Sequence, residues 1–175
     1  GTAALKGLGV ESVAALTTAQ MQSITSAQFA SLSSTQLAAL GSADVAAITT
    51  ADLKAMGTTA LAGLSADQIA SLTTAQIAAL GTAHIAALSA EQVTGLSVGS
   101  VTALSSSQVS VLGSTQLVAF NTAQLAAIGT DDIKSLATAA LHALGADQVA
   151  AMTSNQFGAL TTAQAVALTA EQLGT

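Results

Sequence analysis

Large apolar residues recur at an interval of eight along the whole chain, without one insertion or deletion. With Gly1 as position one, position eight runs Leu8, Leu16, Ile24, Leu32, Leu40 and on to Leu168, and is large and apolar in all 21 full octads. Position five is large and apolar in 21 of 22 octads, Ala165 being the exception, and position four is Gln in 13. Position one is Gly, Ser, Thr or Asn everywhere except Ala137, and Thr73 to Leu80 reads almost as the consensus. Eight residues at ~100° each advance a continuous helix by ~80° beyond two turns, so one long helix would smear its apolar residues around its surface. Each octad must therefore break. The break belongs at position one, which holds eight of the fourteen glycines and suits either a left-handed helix-ending residue or an N-cap. The predicted unit is a helix of one to two turns followed by a tight corner.

Capping chemistry supports that unit. Thr17 with Gln20, Thr25 with Gln28, Ser33 with Gln36, Thr73 with Gln76 and Ser89 with Gln92 have the Ser/Thr-x-x-Gln spacing of a capping box. Where Gly41, Gly57, Gly81, Gly113 or Gly129 stands at position one of the helix start, the Ser or Thr that follows is expected to take over as the cap. All nine acids lie at position three or four and all three lysines at position six, the order that the helix dipole favours.

Helices this short are unstable alone, because nucleation is costly and few hydrogen bonds repay it, so they must stack. The expected fold is an all-α solenoid, a superhelix of about 22 very short helices in one uninterrupted domain over 1–175. Its core is predicted at positions five and eight, represented by Leu16, Ile24, Leu40, Ile69, Leu72, Ile77, Leu80, Ile85, Leu88, Leu104, Leu112, Phe120, Leu136 and Leu160. A β-solenoid is the alternative, disfavoured because Ala and Gln are poor strand formers. Neither the glycines nor the phenylalanines recur at 16 or 24, which leaves the octads per coil open. Two per coil implies a rod of ~100 Å and three a thicker rod of ~70 Å, at the usual spacing of packed helices.

Composition narrows the chemistry. The chain has 175 residues, 51% hydrophobic and 7% charged, with no Cys, Pro, Trp or Tyr. Disulfides are impossible, and three lysines against nine acids exclude a basic nucleic-acid face. Ser, Thr, Gln and Gly interrupt each apolar stretch far short of the ~20 residues that span a bilayer, so no membrane insertion and no signal peptide are expected. No catalytic, cofactor or metal site is expected either. His84 and His142 have no metal-ligand spacing around them and read as solvated surface substitutions. Asp131, Asp132 and Lys134 lack a calcium-loop pattern and read as a capped, dipole-matched helix start. The position-four glutamines either form a ladder along the rod or serve as caps.

The segments SLTTAQIAALGTAHIAALSAEQV and LTTAQAVALTAEQL resemble the LTTAQIAAL octad arrays of large, low-complexity bacterial proteins described as secreted, adhesin-like or haemagglutinin-like. The resemblance covers the entire chain and implies a surface or secreted setting and a role as stalk, filament or spacer. No catalytic residues come with it. The first and last full octads are ordinary rather than polar caps, so the expectation is a segment of a longer array or end-to-end self-association. The second reading is a surface that binds ice or polysaccharide through rows of Thr and Ser, among them Thr50, Thr58, Thr74 and Thr82.

Overall fold

The computed structural model describes residues 1–174. These form 20 α-helices of four to six residues and one 3-10 helix, with no strand among the described residues, so the protein is an all-α solenoid. The octad Thr73 to Leu80 shows how each unit is made. Thr73 is an extended N-cap, the helix runs Thr74–Ala79, and the Leu80 N–H closes the last turn on the Ile77 carbonyl at 3.1 Å. Leu80 then leaves in an extended conformation, φ −61° and ψ 141°, and the next cap, Gly81, continues it at φ −73° and ψ 161°. Two extended residues thus make the corner.

The left-handed ending expected at position one does not occur. Gly81 adopts the same backbone conformation as Thr73, and the one described residue with positive φ is Gly174. The position-eight N–H satisfies a carbonyl of its own last turn, so the chain can turn the corner without a left-handed residue.

Two octads depart from the pattern. In Gly129 to Leu136 a turn precedes a 3-10 helix, Ile133–Ser135, so Asp131 and Asp132 do not open an α-helix as expected. Lys134 Nζ, in the 3-10 helix, reaches Asp131 Oδ1 in the preceding turn at 3.0 Å. The last octad, from Thr169, makes a turn, which leaves fewer helices than one per octad.

Helices touch those three octads before and after them. Side-chain bonds span slightly different distances, 26 residues from Ser26 to Asp52 and 28 and 31 residues from Gln76 back to Ile48 and Val45. One coil therefore holds between three and four octads, more than either number weighed from the sequence. At about 28 residues each, some six coils stack to roughly 50–60 Å at the usual helix spacing. A coil that is not a whole number of octads sets each layer's corners over the helices of the layer below.

Positions five and eight fill the axis, including Leu40, Ile69, Leu72, Ile77, Leu80, Ile85, Leu88, Leu104, Leu112, Phe120 and Leu136, all buried. Leu16, Ile24 and Leu160 are only partly buried, because they lie in the end coils where one neighbouring layer is missing. Glycine matters sterically at two places in position seven. A Cβ on Gly63 would stand 2.5 Å from the Ser34 Cβ, and one on Gly95 would stand 2.1 Å from the Ala66 carbonyl oxygen.

Candidate functional site

The most elaborated polar arrangement lies between coils, and position four builds it. In Ser65 to Leu72, Gln68 N–H donates to Ser65 Oγ at 3.2 Å, and Ser65 N–H donates to Gln68 Oε1 at 2.9 Å. That is a closed capping box. The other end of the same carboxamide does a second job, since Gln68 Nε2 donates to the Leu37 carbonyl at 3.0 Å and the Leu40 carbonyl at 2.8 Å. These acceptors lie at the C-terminal end of a helix four octads earlier, and the Leu37 carbonyl, which already accepts the Leu40 N–H at 3.1 Å, takes the amide as a second donor. One side chain thus satisfies the start of its own helix and the end of another, one coil away.

The link recurs in fixed register. Gln36, Gln92, Gln108, Gln116, Gln124, Gln156, Gln164 and Gln172 each donate to the carbonyls 31 and 28 residues upstream. Gln148 keeps the acceptor 28 residues upstream, Phe120, and takes Val118, 30 residues upstream, in place of the one at 31. Gln20 and Gln28 close their boxes through Oε1 but lie in octads with no coil four octads before them. Ladder and cap, separate alternatives in the sequence, are the two ends of one carboxamide.

The consensus hexapeptide of this join, from positions seven and eight of one octad through position four of the next, stands verbatim as Ala15 to Gln20 and Ala159 to Gln164. Residues 45–82 and 125–162 match the ALTTAQ repeat family. Both ALTTAQ matches begin on a buried position-five residue, Val45 or Leu125, and end on a position-two threonine, Thr82 or Thr162. The chain between and around them continues the same octads in the same phase. No curated protein matches the chain. The ALTTAQ frame joins a corner leucine to the capping box and its glutamine, which are the parts that make the link.

Substitutions at position four show what the place requires. His84 Nδ1 accepts the Gly81 N–H at 3.2 Å and Nε2 donates to the Met56 carbonyl at 2.7 Å, 28 residues upstream. The imidazole reproduces both ends of the glutamine, so His84 is not the solvated surface substitution expected of it. Asp52 has no donor to offer and is used differently. Its buried carboxylate accepts from Thr49 Oγ1 at 2.6 Å and from Ser26 Oγ at 2.7 Å, the latter a position-two hydroxyl from three octads before. Asp132 repeats this with Ser106. Ser100 is buried, its N–H bonded to Ser97 Oγ at 3.0 Å, and makes no bond to the coil four octads before.

The caps divide by residue type. Thr17, Thr25, Ser33, Thr73 and Ser89 accept the position-four N–H through their side-chain oxygens. Gly41 and Gly81 occupy the cap place without a side-chain bond, and the Ser42 and Thr82 that follow are the first helical residues rather than substitute caps. Gly129 heads the turn of the irregular octad, its carbonyl accepting from Asp132 N–H at 2.9 Å. A residue inside the helix cannot supply the extended backbone from which a cap side chain reaches back.

Thr50, Thr74 and Thr82 are exposed and Thr58 partly so, on the outer surface of their helices. Position-one hydroxyls such as those of Thr49 and Thr73 are already engaged as caps. His142 Nδ1 donates to the Ala167 carbonyl at 2.8 Å on the surface. No group of three or more His, Cys, Asp or Glu is placed to hold a metal among the described residues. Among the described residues no helix is long and apolar enough to cross a membrane.

Proposed function

We propose that the protein is a non-enzymatic structural array, a stalk, spacer or filament element that works outside the cell or at its surface. The observation that carries this reading is the glutamine link. Buried amides from Gln36 to Gln172 are committed to joining one coil to another in constant register, so that their chemistry serves mechanical continuity along the axis. Hydrogen bonds between coils resist sliding and bending as well as separation, which a purely apolar thin core would do less specifically. The extracellular setting rests on the resemblance to secreted octad arrays, and a cysteine-free chain with a pI near 4.3 suits it.

The decisive test is how size depends on repeat number. Half-length, full-length and double-length arrays measured by solution X-ray scattering should keep one cross-section while the maximum dimension grows in proportion to the number of octads. A cross-section that grows with length overturns the reading. Surface labelling of intact cells with an antibody against the array tests the location, and labelling that needs permeabilised cells overturns that part.

A further inference from the structure

The glutamine link is interrupted in one place for almost a whole coil. From Gln36 onward position four is Gln or His except at Asp44, Asp52 and Ala60, at Ser100, and at Asp132 and Ala140. A coil holds between three and four octads, so the single and double gaps leave linked octads in the same coil, whereas Asp44, Asp52 and Ala60 take up nearly all of one. They stand 28 places beyond Leu16, Ile24 and Leu32, the offset at which Gln68 and Gln76 donate to Leu40 and Ile48. A carboxylate and a methyl group have no hydrogen to donate to those carbonyls. We propose that the boundary between residues 9–32 and residues 41–64 is a hinge built into the array, where the rod bends more readily than at the linked boundaries. Three octads inside the sequence set it, so it holds in an array of any length.

What still crosses the boundary fits a hinge rather than a break. The apolar axis is continuous, with Val13, Met21 and Phe29 buried on one side and Val45, Leu53 and Leu61 on the other. Apolar contacts hold layers together without fixing an angle, because the hydrophobic effect has no direction. Hydrogen bonds would fix it, since they weaken steeply away from linearity. Among the described residues one side-chain hydrogen bond joins the two stretches, Ser26 Oγ donating to Asp52 Oδ1 at 2.7 Å. It ties the helix Ser26–Phe29 to the helix Thr50–Ala55, which are in contact. The neighbouring pair, Thr18–Gln22 on Ser42–Ala47, is also in contact and has no such tie. Bending therefore pivots at Ser26 and Asp52 and opens or closes the layers beside them.

This inference rests on reading the protein as an array, and the test separates the two. Gln22, Ala70 and Val118 are exposed, share position six and lie at successive intervals of 48 residues on helices of one stack. The chain has no cysteine, so spin labels go only where cysteine is introduced. Pulsed electron paramagnetic resonance should give a broader distance distribution for labelled Gln22→Cys with Ala70→Cys, which crosses the hinge, than for Ala70→Cys with Val118→Cys, between which Gln92, Gln108 and Gln116 link the layers. Adding Asp44→Gln and Ala60→Gln supplies donors for the Leu16 and Leu32 carbonyls, leaves Ser26 and Asp52 untouched, and should narrow the first distribution to the width of the second. Circular dichroism checks that every variant is folded. Equal widths in the two labelled proteins overturn the hinge and leave the array standing, as does a broad distribution that the two glutamines leave unchanged. A scattering cross-section that grows with repeat number overturns the array, whatever the widths.

Discussion

His84 Nε2 donates to the Met56 carbonyl at 2.7 Å, across 28 residues of sequence. Both partners of the ring have fixed roles. A carbonyl only accepts, and the Gly81 N–H that meets Nδ1 at 3.2 Å only donates, so the ring proton resides on Nε2 and the lone pair on Nδ1. Nitrogen-15 chemical shifts of the ring should report that tautomer. His84→Gln should leave stability within ~0.5 kcal/mol of wild type, as it restores the consensus donor and acceptor. His84→Ala should lose about 1–2 kcal/mol in urea denaturation, because the Met56 carbonyl and Gly81 amide lose a shared partner. Equal stability of the alanine and glutamine variants would show that the ring merely occupies space.

Gln124 tests the link at one of its two most enclosed places, at 1% exposure. Its Nε2 donates to the Val93 and Leu96 carbonyls at 3.0 and 2.7 Å while Oε1 accepts the Asn121 N–H at 2.8 Å. Gln124→Met keeps the volume and removes these side-chain bonds, and should cost about 2–4 kcal/mol, between the value of the bonds and the cost of stranding their partners. Gln124→Glu should cost more than Gln124→Met at neutral pH. A carboxylate would face two carbonyl oxygens in a buried site, which is worse than an apolar group of similar size. Chemical denaturation orders the three proteins, and a glutamate variant as stable as wild type contradicts the link.

The residues differ in how openly they announce these roles. Helix start, break and apolar axis are local features, legible because the positions that cap and the positions that bury lie within one octad, as in Thr73, Gln76, Ile77 and Leu80. The capping half of Gln76 is legible for the same reason. Its other half is not, since the Val45 and Ile48 carbonyls lie 31 and 28 residues away and the register that brings them together is set by the coil. Coil size follows from how adjacent layers pack, which repeating octads do not encode as a second period. One clue was in plain view. Histidine shares with glutamine an acceptor at one end and a donor at the other, and its presence at position four pointed to a site where both ends are used.

Glycine at position seven of the Leu96 octad sets how closely two coils approach. A methyl group at residue 95 would meet the Ala66 carbonyl oxygen at 2.1 Å, and backbone on both sides has to move to relieve it. Gly95→Ala should therefore destabilise the protein by about 1–3 kcal/mol, the usual cost of forcing extra volume into a packed contact. Gly158 provides the contrast. It lies inside the helix Ser154–Ala159 with nothing within 4 Å of its added Cβ, so Gly158→Ala should stabilise by about 0.5–1 kcal/mol through helix propensity alone. Thermal melts of the two variants should move in opposite directions, and a shared direction would mean that the close approach at Gly95 is not a constraint.

Three consecutive octads, with Asp44, Asp52 and Ala60 at position four, lack the glutamine, and so lack its donation to the coil four octads before. The Phe29 and Leu32 carbonyls stand 31 and 28 residues before Ala60, in the register that Gln92 uses to reach Leu61 and Leu64 at 2.9 and 2.8 Å. Ala60→Gln places a donor opposite both carbonyls and an acceptor beside the Gly57 N–H. It should stabilise the array by about 1–2 kcal/mol, the net value of two or three hydrogen bonds discounted for ordering a flexible side chain. Because stability in a solenoid is a sum over neighbouring layers, the gain should also be local. Hydrogen exchange should slow between residues 25 and 64 and remain as in wild type beyond residue 140, where no layer touches the substitution. A uniform slowing would mean that the chain opens as one cooperative unit, and no slowing at all would mean that the link does not transfer to a site that lacks it.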